Sequence, residues 1–125
     1  MMAASGALSL DLPRAPEAPG IARRRLARSF ENALDEGQLQ TATLLTSELV
    51  TNALLHGVGS ITLLATLDDH RLLVEVIDEG HGIETSHPRP ERDRVGGYGL
   101  RIVDSQASRW GTHKGTTHVW FELTR

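Results

Sequence analysis

The sequence contains no cysteine, a single lysine and few aromatic residues. Without cysteine, the chain can form neither disulfides nor a thiolate metal site. With only 4% aromatic residues, the core must be built mainly from aliphatic side chains. No apolar run approaches the roughly 20 residues of a membrane-spanning helix. The net charge of -3 gives no overall attraction to nucleic acid. We therefore expect a cytoplasmic protein that contacts neither membrane nor nucleic acid directly.

Length and composition predict one globular domain over residues 1–125. The chain is 125 residues long and 39% hydrophobic, and a domain of this size buries roughly two thirds of its unfolded surface. The start "MMAASGALSL" lacks the basic residues and long apolar stretch of a signal peptide, and we expect residues 1–7 to be disordered. An arginine cluster at 23–28 is more typical of a solvated face or a protein-contact patch than of a DNA-binding element.

Apolar periodicity predicts the element order β-α-α-β-β-loop-α-β-β. Strands are predicted at 7–12, 60–67, 71–78, 108–113 and 117–124, and helices at 21–35, at 39–55 and from near Gly99. The proline-rich segment 13–20 is predicted to be a loop, and the glycine-rich segment 79–97 a mobile loop. This order predicts an α/β two-layer sandwich, in which about three helices cover one face of a mixed, mostly antiparallel sheet.

The second predicted helix carries polar residues at steps of four in the stretch "ELVTNALLHG". This spacing places Glu48, Asn52 and His56 on one helical face. A carboxylate that can accept a proton, one turn from an amide oxygen that can ligate a hard cation, suits magnesium-assisted phosphate chemistry. A helix-cap network or a buried salt bridge would account for the same residues, so this stretch alone does not decide between them.

The stretch "DEGHGI" follows the third predicted strand directly. Its glycines, Gly80 and Gly82, allow a flat ligand to approach the backbone closely. Asp78, at the strand end, is suited to accept a hydrogen bond from an exocyclic amine such as that of adenine. An ordinary glycine-rich turn after a strand would have the same composition.

The stretch "GGYGLRIV", residues 96–103, is a glycine-rich segment that leads into a helix. Backbone N–H groups in such a segment, together with the helix N-terminus, bind phosphates. A flexible linker before a helix is the alternative. The sequence contains no G-x-x-x-x-G-K-[ST] loop, and "GGYGLR" does not follow a first strand as a dinucleotide-binding motif would.

In this order, the three stretches resemble the boxes of the GHKL (Bergerat-fold) ATP-binding superfamily. The stretch "ELVTNALLHG" resembles its N box, "DEGHG" its D-x-G-x-G box and "GGYGL" its G-x-G-L box. The ending "RWGTHKGTTHVWFEL" is similar to the end of the stand-alone bacterial anti-sigma-factor serine/threonine kinases, which the chain resembles most within the superfamily. The resemblance extends over about residues 8–124 and implies a histidine kinase-like ATP-binding domain.

The resemblance implies a role for each matching position. Glu48 would be the general base for the acceptor hydroxyl, Asn52 would ligate Mg²⁺, and Asp78 would bind the adenine amine. His56 would support the structure, and residues 83–97 would close as a lid. The remaining ATP contacts would come from Gly80, Gly82, Ile83, Gly97, Tyr98, Gly99, Leu100 and Thr117, with Thr116 an alternative to Thr117.

The family's function implies partners as well as cofactors. The chain would bind a sigma factor, and would use ATP and Mg²⁺ to phosphorylate a STAS-type anti-anti-sigma protein on serine or threonine. It would also form a homodimer. Sensor histidine kinases carry a phospho-accepting histidine on a helix pair that this sequence does not contain, so the acceptor would be another protein. Two other functions stay open, namely a nucleotide-gated protein-binding regulator with negligible kinase activity and a simple ATPase.

Overall fold

The computed structural model describes residues 6–80, 97–112 and 118–125. In these ranges, three helices pack on an open five-stranded sheet, which confirms the predicted two-layer α/β sandwich. The predicted element order is also confirmed. The elements are β1 (Gly6–Leu12), α1 (Ala18–Phe30), α2 (Glu36–His56), β2 (Ile61–Leu67), β3 (Arg71–Ile77), α3 (Gly97–Gln106), β4 (Arg109–Thr112) and β5 (Val119–Thr124).

The strands are arranged in the order β1-β2-β3-β5-β4. Each pairing among the described strands is antiparallel, so the expected mixed sheet is corrected to an antiparallel one in this part of the chain. Side chains alternate between the two faces of a strand. On the helix-covered face, Leu63, Val74 and Phe121 are buried. This order places the end of β3 in the interior of the sheet rather than at an edge.

Strand β1 begins at Gly6, where Gly6 pairs with Leu67 and Ala7 pairs with Thr66 of β2. Both residues therefore belong to the sheet, whereas the sequence predicted disorder through residue 7. The alternating pattern of "GALSLDL" extends to Gly6. A glycine at the end of such a pattern gives little indication of whether the strand includes it.

Helix α1 begins at Ala18 and ends at Phe30, whereas the sequence predicted residues 21–35. The error at its start comes from Pro19, which was assigned to a loop. Proline is well tolerated in the first turn of a helix, because the N–H groups there have no intrahelical acceptor. The apolar face of α1 is fully buried and consists of Ala18, Ala22, Leu26 and Phe30.

Helix α2 begins at Glu36, three residues before its predicted start. The Asp35 side chain accepts a hydrogen bond from the backbone N–H of Gln38 at 2.7 Å, and the Gln38 side chain accepts one from the Asp35 N–H at 3.0 Å. This capping box satisfies two N–H groups and stabilises the helix start, so Gly37 does not interrupt the helix. Helix α2 ends at His56, one residue beyond its predicted end, and the next residue, Gly57, donates its N–H to Ala53 O at 2.8 Å.

Thr46 lies on the buried face of α2, and its side chain is fully inaccessible to solvent. Its hydroxyl has no hydrogen-bond partner among the described residues. Burying a hydroxyl without a partner costs about 1–3 kcal/mol. We therefore expect Thr46→Val, which has nearly the same shape, to increase the free energy of unfolding by about 1 kcal/mol. Urea unfolding measures this change.

Thr43→Val provides the matched control for this prediction. Thr43 lies on the same helix, but its hydroxyl donates to Leu39 O at 3.0 Å. Removing a satisfied, half-buried hydroxyl is not expected to stabilise the protein. A decrease in stability on Thr46→Val would contradict the prediction.

Helix α3 begins at Gly97, two residues before its predicted start, and its Val103 side chain is fully buried in the core. The indole N–H of Trp110 on β4 donates to Asp104 Oδ1 at 2.8 Å, which joins α3 to the edge of the sheet. Among the helices described, none combines the length and apolarity needed to cross a bilayer.

Candidate functional site

Helix α2 carries the polar stripe that the sequence predicted. Glu48 and Asn52 are half-buried, while His56, at the last turn, is exposed. Within the described ranges, neither the Glu48 carboxylate nor the Asn52 amide makes a hydrogen bond or an ion pair with another protein group. The helix-cap network and the buried salt bridge, which the sequence left open as alternatives, are therefore not formed by these groups in this part of the chain. A half-buried carboxylate and amide on one face are suited to contact a bound polar ligand.

Asp78 follows β3 directly, at the end of an interior strand, and its side chain is 9% exposed. Its Oδ1 accepts a hydrogen bond from the backbone N–H of Gly80 at 2.7 Å. The carboxylate lies against Gly57, so closely that a Cβ atom on that glycine would overlap it. Because Gly57 follows the last residue of α2, Asp78 lies at the C-terminal end of the helix that carries Glu48 and Asn52. The structure thus joins the first two sequence stretches.

The α2–β2 connection, residues 57–60, is hydrogen-bonded to Glu79, the residue after Asp78. The backbone N–H of Glu79 donates to Val58 O at 2.8 Å, and the Ser60 hydroxyl donates to Glu79 Oε2 at 2.6 Å. Gly59 has a positive φ of 73°, which favours glycine, and the Glu79 side chain packs against it. These contacts fix the position of the end of β3 relative to the end of α2.

The pKa of Glu79 lies below the ordinary glutamate value of 4.5, first because the Ser60 hydroxyl donates to the carboxylate. The Ser60 backbone N–H and the charge of Arg14 act in the same direction. Hydrogen bonds to a carboxylate favour its ionised form. Since Glu79 ionises more easily in the folded chain, it contributes stability above the unfolded pKa. That contribution is lost as the pH falls through the folded pKa.

This shift predicts a pH-dependent effect of Ser60→Ala. The variant is expected to be less stable than the wild type at neutral pH, and the difference should shrink as the pH is lowered from neutral to about 3. Urea unfolding of both proteins across this range measures it. Ser29→Ala, at an exposed position on α1, should give a difference that does not vary with pH. A constant difference for Ser60→Ala would contradict the role assigned to Glu79.

Arg14, in the β1–α1 connection, binds three backbone carbonyls at the end of α2 and beyond it. Its Nε donates to Gly59 O at 2.7 Å, and its guanidinium NH1 donates to Leu54 O at 3.0 Å and Ala53 O at 3.2 Å. The last carbonyls of a helix have no intrahelical donor and carry partial negative charge, so a cation is favourable there. Arg14 therefore holds the helix end that carries the candidate site.

Sequence analysis did not identify Arg14, Ser60 or Glu79. Arg14 lies 45 residues from Gly59 along the chain, and no local pattern marks such a contact. Glu79 is adjacent to Asp78 and belongs to the quoted "DEGHGI" stretch, so its position was a usable signal. The pairing of Ser60 with Glu79 depends on the relative placement of two loops, which the sequence does not show.

The third stretch is described only in part. Helix α3 begins at Gly97, so Gly97 and Gly99 lie in its first turn, where the backbone N–H groups have no acceptor within the helix. Leu100 is half-buried and packs against the core. The contacts predicted for Gly82, Ile83, Thr116 and Thr117, and the lid predicted for most of 83–97, fall outside the described residues. The phosphate-binding role of this stretch stays a prediction.

The side chains of the C-terminal half of α2 and of Asp78 are chemically suited to a magnesium nucleotide. Mg²⁺ binds through one or two protein oxygens together with phosphates and water, and Asn52 can supply one such oxygen. The buried Asp78 carboxylate can accept a hydrogen bond from an amine. The Glu48 carboxylate can orient a hydroxyl and accept its proton. Together these groups suit phosphoryl transfer from a purine nucleotide that carries an amine.

Most of the chain is similar in sequence to known proteins. The family model of the histidine kinase-like ATPase domain matches residues 12–122. An anti-sigma F factor of Clostridium acetobutylicum is 36% identical over 93 residues, which are 62% of this chain and 63% of that protein. Anti-sigma F factors of Thermoanaerobacter sp. and Thermoanaerobacter pseudethanolicus are 39% identical over 67 residues, 49% of this chain and 47% of each relative. The matched regions thus cover between 47% and 63% of the length of these relatives.

Proposed function

Since the chain belongs to the histidine kinase-like ATPase domain family, we propose that it is a protein serine/threonine kinase of the anti-sigma-factor type. In this function it binds a sigma factor and transfers the γ-phosphate of ATP to a serine or threonine of a STAS-type anti-anti-sigma protein. The names of the similar proteins support this class of partner. The family membership supports ATP as the phosphate donor.

The observation that carries this proposal is the packing of Asp78 against the C-terminal end of α2. It places the Asp78 carboxylate, to which we assign the adenine amine, against the end of the helix that bears Glu48 and Asn52. Phosphoryl transfer depends mainly on positioning and electrostatic stabilisation. A rigid connection between the base-binding acceptor and the catalytic helix is therefore what such a transfer needs.

Each residue has a separate task in the proposed reaction. Asp78 accepts a hydrogen bond from the adenine amine and orients the nucleotide. Asn52 presents its side-chain oxygen as a magnesium ligand, and bound Mg²⁺ would offset the negative charge of the phosphates. Glu48 orients the acceptor hydroxyl and takes its proton as the oxygen attacks. The first turn of α3, from Gly97 to Leu100, offers N–H groups for the phosphates.

Calorimetric titration of ATP into the purified chain, with and without Mg²⁺, tests the nucleotide site. We expect binding that strengthens with Mg²⁺. Incubation with radiolabelled ATP and a STAS-type protein then tests phosphotransfer to serine or threonine. Absence of ATP binding would contradict the proposal. Binding without phosphotransfer to any such acceptor would instead support a nucleotide-gated regulator.

A further inference from the structure

Gly57 is the residue through which the end of α2 contacts Asp78. A Cβ atom at this position would overlap the Asp78 carboxylate oxygen Oδ2, and would lie 2.5 Å from its Cγ and 2.7 Å from Ala53 O. Distances under 3.0 Å are not tolerated without movement of the neighbouring atoms. The contact therefore exists only because residue 57 has no side chain.

The backbone conformation of Gly57 does not itself require glycine. Its φ of -94° and ψ of -170° lie in the extended region that other residues also adopt. A glycine that only ended the helix in a left-handed conformation would have a positive φ. The requirement for glycine at position 57 therefore comes from close approach to Asp78 and to Ala53 O, and not from the turn.

Asp78 cannot easily move away from a side chain at position 57. Its Oδ1 is held by the Gly80 N–H at 2.7 Å. The backbone beside it is held as well, because the Glu79 N–H donates to Val58 O. On the other side, Arg14 binds the carbonyls of Ala53, Leu54 and Gly59. Either the carboxylate or the helix end must shift if residue 57 acquires a methyl group.

From these contacts we propose that Gly57 is a positioning residue of the nucleotide site, which sets the place of the Asp78 carboxylate relative to α2. This inference rests on the proposed nucleotide-binding function. Gly57 itself makes no contact with the nucleotide in this proposal. Its bare backbone lets Asp78 reach the position from which it accepts a hydrogen bond from the adenine amine. A methyl group there changes recognition of the base.

Gly57→Ala tests the inference, with Gly37→Ala as the matched control. Gly57 follows the last residue of α2, and Gly37 lies in the first turn of the same helix. A Cβ atom at position 37 would be in ordinary van der Waals contact with Asp35 Oδ1 at 3.6 Å. The probes are ATP and purine riboside triphosphate, which lacks the 6-amino group. We expect the wild type and Gly37→Ala to bind ATP about 10–100-fold more tightly than the analogue, the effect of one hydrogen bond to a charged group. Gly57→Ala is expected to lose this preference.

A double-mutant cycle separates the contact itself from nucleotide binding. Gly57→Ala is combined with Asp78→Ala, and urea midpoints of the four proteins are compared. The overlap with Ala53 O is present in both backgrounds and cancels, so the cycle isolates the Asp78 contact. We expect Gly57→Ala to lower the midpoint less in the Asp78→Ala background. If Gly57→Ala alone does not fold, recovery of folding in the double variant supports the inference. If Asp78→Ala folds and the double variant does not, the overlap with Ala53 O alone excludes a side chain at position 57, and the inference is overturned.

The possible failures are distinguishable. If the wild type binds no ATP, the proposed function and the positioning role both fail, while the cycle still tests the structural contact. If the wild type prefers ATP and Gly57→Ala keeps the full preference, the positioning role alone is wrong. Additive midpoints in the cycle would likewise overturn the role of the Gly57–Asp78 contact and leave the kinase proposal standing.

Discussion

Glu48→Gln is expected to lower the rate of phosphotransfer by about 10²–10⁴-fold, the usual contribution of a general base. Glutamine has nearly the same shape as glutamate and can still orient a hydroxyl, but it cannot accept the proton. Glu48 is half-buried on α2 and forms no ion pair with the rest of the described chain, so its loss should not break a structural contact. The affinity for ATP is expected to stay close to that of the wild type.

Single-turnover transfer of labelled phosphate to the acceptor protein measures this effect. Glu36→Gln is the matched control, because Glu36 lies in the first turn of the same helix and is exposed. It removes an equal charge far from the Asp78 end of α2 and should leave the rate unchanged. An unchanged rate in Glu48→Gln would show that Glu48 is not the base.

Asp78→Asn is expected to weaken ATP binding by about 10–100-fold, the effect of one hydrogen bond to a charged group. The asparagine oxygen can still accept from the Gly80 N–H, as Asp78 Oδ1 does, so the local turn should survive. The asparagine NH₂ would instead face the adenine amine, and two donors cannot bind each other. Calorimetric titration of Mg-ATP measures the loss.

Asp69→Asn is the control for this change, since Asp69 is exposed in the turn between β2 and β3. It should bind ATP like the wild type. Wild-type affinity in a folded Asp78→Asn variant would contradict the role of Asp78 in base recognition. The variants of Glu48 and Asp78 are thus separated by their readouts, since Glu48 acts on the rate and Asp78 on the affinity.

The elements with strong local patterns could be predicted from the sequence. The hairpin of β2 and β3 was predicted within one residue at each end, because its apolar residues alternate on both sides of a polar turn. The start of α1 was wrong because proline in a first helical turn and proline in a loop give the same local composition. The predicted start of α2 was three residues too late because glycine is a weak helix former, and Gly37 nevertheless lies in the first turn that the Asp35–Gln38 capping box stabilises.

The candidate site was predicted as three separate stretches rather than as one place. Glu48 and Asn52 share a helix face because they are four residues apart, and Asp78 directly follows a strand. Both features could be predicted from neighbouring residues alone. Their mutual placement depends on which strands are neighbours in the sheet. The order β1-β2-β3-β5-β4 could not be read from alternation, since alternation identifies a strand but not its partner.

The sequence by itself determined the element order, the two-layer class and the residues that carry the candidate chemistry, because helical and strand periodicity are encoded by residues a few positions apart. Only the tertiary structure decided that Gly57 lies against Asp78 and that Arg14 binds the carbonyls at the end of α2. These contacts join residues 21 to 40 positions apart. They form because the packed sheet and helices bring these backbone segments together. No local sequence pattern specifies a contact between residues so far apart in the chain.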